Sequence, residues 1–269
     1  MKLQDKASCH GIRVKYQGLT HDKNDGVLVI RIHPVKKREE VVQLSSELRD
    51  LCTDTLLDPG THVVVLTGVD QNAFLINPET VSPGSAEDTF RGSSIGSLTE
   101  SISRLDVPVL ATIQGDVTGQ GLELALACDL RIASEDSRFG LIQIKTGSVP
   151  SDGGTQRLSR LVGKARALEM ILTGEVVDAR EALRIGLVSR IVPREEVTAM
   201  AMGLAQEMAS RAPIAVRYAK ETICKGMDMT LEQGLRLEAD LYFLLHTTRD
   251  RTEGIQAFRT KRTPQFRGE

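Results

Sequence analysis

The sequence contains no tryptophan, and aromatic residues make up only 3% of its 269 residues. Proteins that bind single-stranded nucleic acid stack bases on aromatic side chains, so this composition does not favour such a site. Charge of one sign is not in excess either, because 34 lysines and arginines stand against 36 aspartates and glutamates, for a net charge of -2. Neither nucleic acid nor an anionic membrane surface is therefore expected as a partner.

Cysteines and long apolar runs are also scarce. Cys9, Cys52, Cys128 and Cys224 are scattered, and none forms a Cys-x-x-Cys pair or lies beside a histidine at metal-ligand spacing. No metal site is expected, and reduced thiols in a cytoplasmic protein are the favoured interpretation. Residues 1–17 contain no apolar signal segment, and no run approaches the ~18 residues of a membrane span.

Turn residues and apolar periodicity predict the first structural elements. The turn-forming residues 24–26 separate two β-branched segments, residues 12–16 and 27–32, so a hairpin is expected. Residues 62–67 and 108–113 are near-continuous apolar runs, which are typical of strands buried on both faces. Helical segments lie between these runs, and the alternation predicts an α/β layered domain with parallel strand pairing.

The character of the chain changes after about residue 154. From there helical segments follow one another, and only residues 187–191 still have the pattern of a strand. We therefore expect a core over residues 1–193 and a helical C-terminal module, a lid or an oligomer-forming unit, over residues 194–269. Residues 68–92 form a long polar segment, and a loop of this length in a compact domain is usually functional or disordered.

A glycine-rich turn at Gly119 and Gly121 opens an apolar helix. The first N–H groups of a helix have no partner within it and lie at the positive end of its dipole, which predicts an anion or oxyanion site. Glu123 stands between Leu122 and Leu124, so a buried carboxyl with a raised pKa is expected, as suits a general acid or base. A structural glutamate that accepts backbone N–H groups or pairs with an arginine is an equally open interpretation.

A second informative segment, residues 139–158, holds Asp152 in an irregular loop before two glycines. One interpretation is an N-cap of the helix that begins near Thr155, because aspartate is a favoured residue there. The other interpretation is a second carboxylate that takes part in catalysis.

A serine hydrolase is the weaker alternative. Residues 92–96 match the Gly-x-Ser-x-Gly nucleophile elbow, but residues 87–91 before them do not form the hydrophobic strand that the elbow requires. Pairing of Ser94 with His246 is conceivable, yet no acid is placed to complete a triad.

Several segments together resemble the crotonase superfamily, which contains the enoyl-CoA hydratases and isomerases, and the resemblance covers nearly the whole chain from Val27. It implies a spiral of ββα units with a helical C-terminal trimerisation module. It also implies acyl-CoA substrates, whose thioester enolate lies in an oxyanion hole of two backbone N–H groups. Coenzyme A is then part of the substrate, no separate cofactor is expected, and the assembly is a homotrimer or a dimer of trimers. The segments are residues 129–140, 153–158, 172–175, 181–188 and 253–262.

The resemblance also implies roles for residues that match family motifs. Glu123 falls on the first catalytic glutamate of hydratases, and Gln120 falls on the position whose backbone N–H completes the oxyanion hole. Phe258 and Lys261 fall where the family contacts the CoA nucleotide across a subunit boundary. The full set of predicted substrate contacts is Lys36, Arg38, Ala73, Phe74, Gly119, Gln143, Phe258 and Lys261.

Three departures from the family pattern matter for catalysis. The second hydratase glutamate falls on Gln143, whose amide cannot exchange a proton as a carboxylic acid does. The first oxyanion donor falls on Pro78, which has no N–H, so a shifted loop that presents the amide of Asn77 or Glu79 is the alternative. Asp152 occupies a position where most hydratases carry a small residue, and it is predicted as a second catalytic residue.

These features predict an acyl-CoA enzyme that retains Glu123 as its base or acid. Double-bond isomerisation needs one carboxylate and fits better than hydration by two glutamates, although hydration with Asp152 as the second acid stays open. The alternative function is a catalytically weakened member of the superfamily that binds acyl-CoA or a partner protein, because two catalytic features depart from the pattern.

Overall fold

The computed structural model describes residues 16–35, 37–69 and 97–269, except for the side chain of Arg38. The strands are β1 (Leu19–Asn24), β2 (Val27–Ile32), β3 (Val63–Gly68), β4 (Val109–Ile113), β5 (Val117–Thr118), β6 (Leu130–Ser134), β7 (Arg138–Gly140), β8 (Val177–Asp178) and β9 (Arg190–Val192). The helices are α1 (Arg38–Leu57), α2 (Leu98–Ser103), α3 (Gln120–Ala127), α4 (Gly154–Val162), α5 (Lys164–Thr173), α6 (Ala179–Arg184), α7 (Val197–Ala209), α8 (Pro213–Gly226), α9 (Leu231–Leu245) and α10 (Arg249–Thr260). Among the described residues, 3₁₀ turns cover Gln143–Thr146 and Arg194–Glu196.

Six strands form one sheet in the order β1-β2-β3-β4-β6-β9. All neighbours after the β1–β2 hairpin pair in parallel, which confirms the predicted α/β class. The hairpin turns at Asp25 and Gly26, whose φ angles of 47° and 78° lie in the left-handed region that such two-residue turns require. This tight turn pairs Asn24 directly with Val27, so the strand that pairs with β2 is Leu19–Asn24 and the predicted hairpin partner at residues 12–16 was wrong. Residues 12–15 themselves lie outside the described residues.

Helices cover both faces of the sheet. Alternate β2 residues point to opposite sides, so Leu28 and Ile30 pack with α1, whereas Val29 packs with α7. Because apolar contacts lie on both faces, the central strands are near-continuous apolar runs in the sequence.

A second, three-stranded sheet has the order β5-β7-β8, with β5 and β7 parallel. Its strands are only two or three residues long, too short for a period-two pattern to be recognised in the sequence. This sheet positions the start of α3, because the N–H of Gly119 donates to the carbonyl of Gly140 in β7 at 2.9 Å.

The C-terminal part is helical, as predicted, but its first helix packs with the core. α7 buries Val197, Ala201 and Ala205 against the six-stranded sheet. Further along, Lys220 of α8 forms an ion pair with Asp129 at 2.7 Å. The division at residues 193 and 194 follows the last strand, and its description as two units stays a prediction. Within the described ranges, no helix has both the length and the apolar character to cross a membrane.

Candidate active site

A tight turn at Gly119 places the first residues of α3. Gly119 has φ 57° and ψ −129°, a backbone conformation that residues with a Cβ rarely adopt. Its carbonyl accepts the N–H of Glu123 at 3.1 Å, which closes the first turn of the helix. The glycine predicted from the sequence is therefore required by the geometry of this turn.

The side chain of Glu123 is fully buried, with 0% of its surface exposed. Its helix is almost wholly apolar, and Leu122 and Leu124 on either side are buried as well. A carboxylate in such surroundings needs hydrogen-bond donors to offset the loss of water.

Three N–H groups supply these hydrogen bonds. Oε1 of Glu123 accepts the backbone N–H of Asp152 at 2.7 Å and that of Gly154 at 2.9 Å. Oε2 accepts the side-chain Nε2 of Gln143 at 3.0 Å. Glu123 therefore accepts backbone N–H groups, as one interpretation of the sequence proposed. These hydrogen bonds fix the orientation of the carboxylate.

Burial raises the pKa of Glu123 above its ordinary value. The N–H groups of Gly154 and Asp152 oppose this shift because they stabilise the ionised form. The negative charge of Asp152 adds to the rise, and the positive charge of Arg157 opposes it. A raised pKa reduces the free-energy difference between the two protonation states near neutral pH, which suits a group that accepts and returns a proton.

Gln143 offers a second polar atom beside Glu123. Its side-chain oxygen, Oε1, is buried and meets no hydrogen-bond donor within the described part of the chain. An unpartnered buried carbonyl is costly, so this oxygen is an available acceptor for a donor on a ligand or for a water molecule. Substrate contact by Gln143 stays a prediction.

Asp152 lies beside Glu123 through its backbone, while its carboxylate binds another helix. Its two carboxylate oxygens accept hydrogen bonds from Ser97, Leu98 and Thr99 at the start of α2. The interpretation that Asp152 caps the helix near Thr155 was therefore wrong, because that helix has Gly153 at its N-cap and receives no side-chain cap. A direct catalytic role for the Asp152 carboxylate stays a prediction.

Gln120 is the first residue of α3, where N–H groups have no acceptor inside the helix. Its backbone N–H lies at the start of the helix, three residues before Glu123. The Gln120 side-chain oxygen is buried without a hydrogen-bond partner in the described ranges. The oxyanion role of Gln120 and the substrate contact of Gly119 stay predictions.

The other predicted residues lie in the C-terminal helices or outside the described residues. Phe258 is 85% exposed on α10, and Lys261 caps that helix with a left-handed φ of 53°. His246 of the weaker hydrolase alternative ends α9 and makes an edge-on contact with Tyr242. Outside the described part lie Lys36, Ala73, Phe74, Asn77, Pro78, Ser94 and the side chain of Arg38.

Sequence reasoning missed the partners of Asp152. Ser97 and Thr99 bind the loop of Asp152, and nothing in their spacing signals a contact across more than 50 residues. Arg157, five residues after Asp152, donates to the Asp152 carbonyl. The glycine pair at the start of α4 was the one available signal, since Gly154 leaves no room for a Cβ beside Glu123. Within the described ranges, no cluster of three or more histidine, cysteine, aspartate or glutamate side chains is arranged to hold a metal ion.

Known proteins resemble this chain over most of its length. A family model described as enoyl-CoA hydratase/isomerase matches residues 22–269. The (E)-benzylidenesuccinyl-CoA hydratase of Thauera aromatica is 36% identical over 83% of this chain and 88% of its own length. The mitochondrial methylglutaconyl-CoA hydratase of Rattus norvegicus is 40% identical over 92% of this chain and 81% of its own length.

The fold is similar to solved structures as well. The crystal structure of enoyl-CoA hydratase from Bacillus anthracis superposes with a TM-score of 0.85 and 36% identity, over 94% of this chain and 100% of that one. This similarity confirms the predicted crotonase-like fold with its helical C-terminal region. The chain therefore belongs to the enoyl-CoA hydratase/isomerase family, the crotonase superfamily that its motifs resemble, and it is an acyl-CoA enzyme of that type.

Proposed function

We propose that the protein isomerises the double bond of an unsaturated acyl-CoA thioester, with Glu123 as the single carboxylate that moves the proton. The observation that carries this proposal is the pairing of one fully buried carboxylate with three fixed N–H donors. The other carboxylate of the predicted pair, Asp152, already receives hydrogen bonds on both of its oxygens from α2.

The start of α3 provides N–H groups that would stabilise negative charge on the substrate. Backbone N–H groups at the N-terminus of this eight-residue helix favour negative charge, and Gln120 contributes the first of them. A thioester oxygen placed there would be stabilised when the acyl group becomes an enolate. A second donor in the segment of Asn77 and Pro78 remains a prediction from the family resemblance.

The proposed reaction needs only one proton-transfer group. Ionised Glu123 removes a proton from the α-carbon of a β,γ-unsaturated thioester, and the C–H electron pair forms the enolate. The double bond then moves into conjugation as the γ-carbon takes the proton back from Glu123. The carboxylate is regenerated, and no atoms are gained or lost.

Hydration is the second candidate, and two observations favour it. The buried Oε1 of Gln143 has no donor among the described residues and could accept a hydrogen bond from water beside Glu123, whose Oε2 binds Nε2 of the same side chain. The relatives named above are hydratases. In this reaction Glu123 takes a proton from the water, the oxygen adds to the β-carbon, and Glu123 returns the proton to the α-carbon.

The products formed from two simple thioesters distinguish the candidates. We expect the protein to convert vinylacetyl-CoA to crotonyl-CoA, as followed by chromatography and NMR. Conversion of crotonyl-CoA to β-hydroxybutanoyl-CoA at a higher kcat/KM would assign hydration instead. Binding of both thioesters without turnover of either would contradict both reactions and identify a catalytically weakened member of the family.

The same assay has an expected pH dependence. The base form of Glu123 is ionised, so activity is lost as the pH falls through its pKa. Burial raises that pKa, so we expect the acid limb of kcat/KM to lie above the ~4.3 of an ordinary glutamate. An acid limb at or below that value would show that another group limits the rate.

We also infer that copies of this chain associate into a trimer or a dimer of trimers through the C-terminal helices. Large apolar side chains at helical spacing are exposed along α9, including Leu231, Leu235 and Phe243. Such a surface is typical of an interface between subunits, and Phe258 on α10 is the predicted nucleotide contact across that boundary. A cytoplasmic location remains a prediction from the composition.

A further inference from the structure

The loop that supplies N–H groups to Glu123 is fastened to α2 by one side chain. Asp152 Oδ2 accepts the N–H groups of Leu98 and Thr99 at 3.0 and 3.3 Å. Oδ1 accepts the hydroxyl of Ser97 at 2.5 Å and lies 2.9 Å from that of Thr99. The first N–H groups of a helix have no acceptor within it, so a carboxylate from a distant part of the chain caps α2.

Arg157 secures the other side of the same loop. Its Nη1 donates to the carbonyl of Asp152 and to the hydroxyl of Thr99, both at 3.0 Å. Gly153 between them has φ 94°, and a Cβ there would lie 2.1 Å from Nη1 of Arg157. Gly153 is therefore held in a left-handed conformation, and hydrogen bonds join the loop to both α2 and α4.

This conformation aims two N–H groups at one oxygen of Glu123. The N–H groups of Asp152 and Gly154, two residues apart, reach Oε1 at 2.7 and 2.9 Å. Successive N–H groups that converge in this way form a small anion-binding concavity. A rotation of the loop would withdraw both donors together, since they belong to the same turn.

We propose that Asp152 is a positioning residue, whose carboxylate on α2 keeps two backbone N–H groups on Glu123 and so orients the proton-transferring group. This inference rests on the proposed role of Glu123. It explains why an acid stands before Gly153: α4 receives no cap from it, whereas α2 does. Proton transfer by the Asp152 carboxylate itself is the rival role.

Two effects of opposite sign act on Glu123 when this cluster is changed. The charged side chains that face Glu123 are Asp152, which raises its pKa, and Arg157, which lowers it. Loss of the N–H donors raises the pKa, whereas loss of the Asp152 charge lowers it. Variants of Ser97 and Thr99 leave both charges in place. Ser97 also accepts the N–H of Glu100 at 2.9 Å as the N-cap of α2, so Thr99→Val isolates the positioning effect more cleanly than Ser97→Ala does.

The test compares kcat, KM and the pH dependence of kcat for Ser97→Ala, Thr99→Val and Asp152→Asn. We expect kcat to fall about 10- to 100-fold in each variant, because a small displacement of a catalytic group is costly. KM should stay near the wild-type value, and the acid limb of Ser97→Ala and Thr99→Val should move to higher pH. Ser97→Thr, which restores a hydroxyl, should recover most of the lost kcat.

Ser103→Ala provides the matched control. Ser103 also lies on α2 and donates to a carbonyl, that of Glu100 at 3.0 Å, but it is exposed and does not bind the loop. This variant should keep the wild-type kcat and acid limb even if its melting temperature falls. The comparison separates positioning of Glu123 from a general loss of stability in α2.

Two results would overturn the inference. Loss of turnover in Asp152→Asn, with wild-type kcat and acid limb in Ser97→Ala and Thr99→Val, would assign proton transfer to Asp152. Wild-type behaviour of all three variants would make the cap purely structural. Failure of the proposed function is distinguishable, because turnover in Glu123→Gln would then persist whatever the Asp152 variants do.

Discussion

The carboxylate of Glu123 finds its hydrogen-bond partners within the same chain, whereas apolar side chains on the outer face of α9 stay exposed to solvent. Around Glu123, each carboxylate oxygen has a donor from the same chain, and the side chain is wholly buried. Along α9, Leu235 and Phe243 leave 56% and 71% of their surface exposed, although both are strongly apolar. The carboxylate proposed to be catalytic is therefore positioned within one chain, whereas the exposed face of α9 is the surface that we propose packs against another copy.

This difference separates two kinds of function that substitutions should reveal independently. Changes beside Glu123 should alter kcat with little effect on assembly. Changes on α9 should alter assembly first, and then the binding of the CoA nucleotide through Phe258 and Lys261, the residues predicted to contact it across a subunit boundary. A substitution that affects both regions equally would break the comparison.

Gly154→Ala, beside Glu123, is expected to reduce turnover more than any substitution on α9. A Cβ at this position would lie 2.9 Å from Cγ of Glu123 and 2.9 Å from Cβ of Pro150, so the carboxylate or the loop must move. We expect turnover to fall about 100-fold, as for misplaced catalytic groups, and stability to fall by ~1–3 kcal/mol through overpacking. Steady-state kinetics and denaturant unfolding measure the two changes.

Gly203→Ala is the matched control for that variant. Gly203 lies in α7, and an added Cβ there would meet no atom within 4 Å. Because alanine favours helices more than glycine does, stability should rise by up to ~1 kcal/mol, with turnover unchanged. Equal losses of activity in both variants would mean that the close approach of Gly154 to Glu123 has no special role.

A smaller effect on catalysis is expected from Leu235→Asp. A charge on the exposed apolar stripe should weaken association between copies by ~2 kcal/mol or more, as for a central interface residue. Light scattering should then show smaller species, and KM for acyl-CoA should rise while kcat changes little. Asp240→Asn on the same helix serves as the control, and a wild-type mass for Leu235→Asp would contradict an interface on α9.

The core of the fold was predictable because its elements are long and strongly patterned. The apolar runs of β3 and β4 and the helical spacing in α1 are each signalled within a single segment. The position of Glu123 was predictable for the same reason, since a lone acid in an apolar helix is a local feature.

The contacts of the site were less accessible to sequence reasoning. The cap of α2 by Asp152 joins residues more than 50 positions apart, and aspartate at the start of a loop fits several helices equally well. β1 was misplaced because β-branched residues outside the hairpin outweighed the polar residues of Leu19–Asn24, which lie on an exposed edge strand. Pairing across the sheet, rather than local pattern, fixes that strand.

The central claim is that Glu123 carries the proton, and its most direct test is deuterium transfer within the substrate. Wild-type protein in H₂O should convert vinylacetyl-CoA deuterated at its α-carbon to crotonyl-CoA with deuterium at the γ-carbon, as read by NMR. In Glu123→Gln both turnover and deuterium transfer should fall by ~10²–10⁴-fold, while calorimetry shows an unchanged Kd for the thioester.

Stability provides the control for that measurement. Because burial raises the folded-state pKa of Glu123, its contribution to stability is greatest when it is protonated and is lost as the pH rises through that pKa. A neutral glutamine should therefore leave the melting temperature at neutral pH no lower than that of the wild type. Loss of deuterium transfer in a folded, thioester-binding Glu123→Gln is the predicted result; transfer at the wild-type rate would contradict the account.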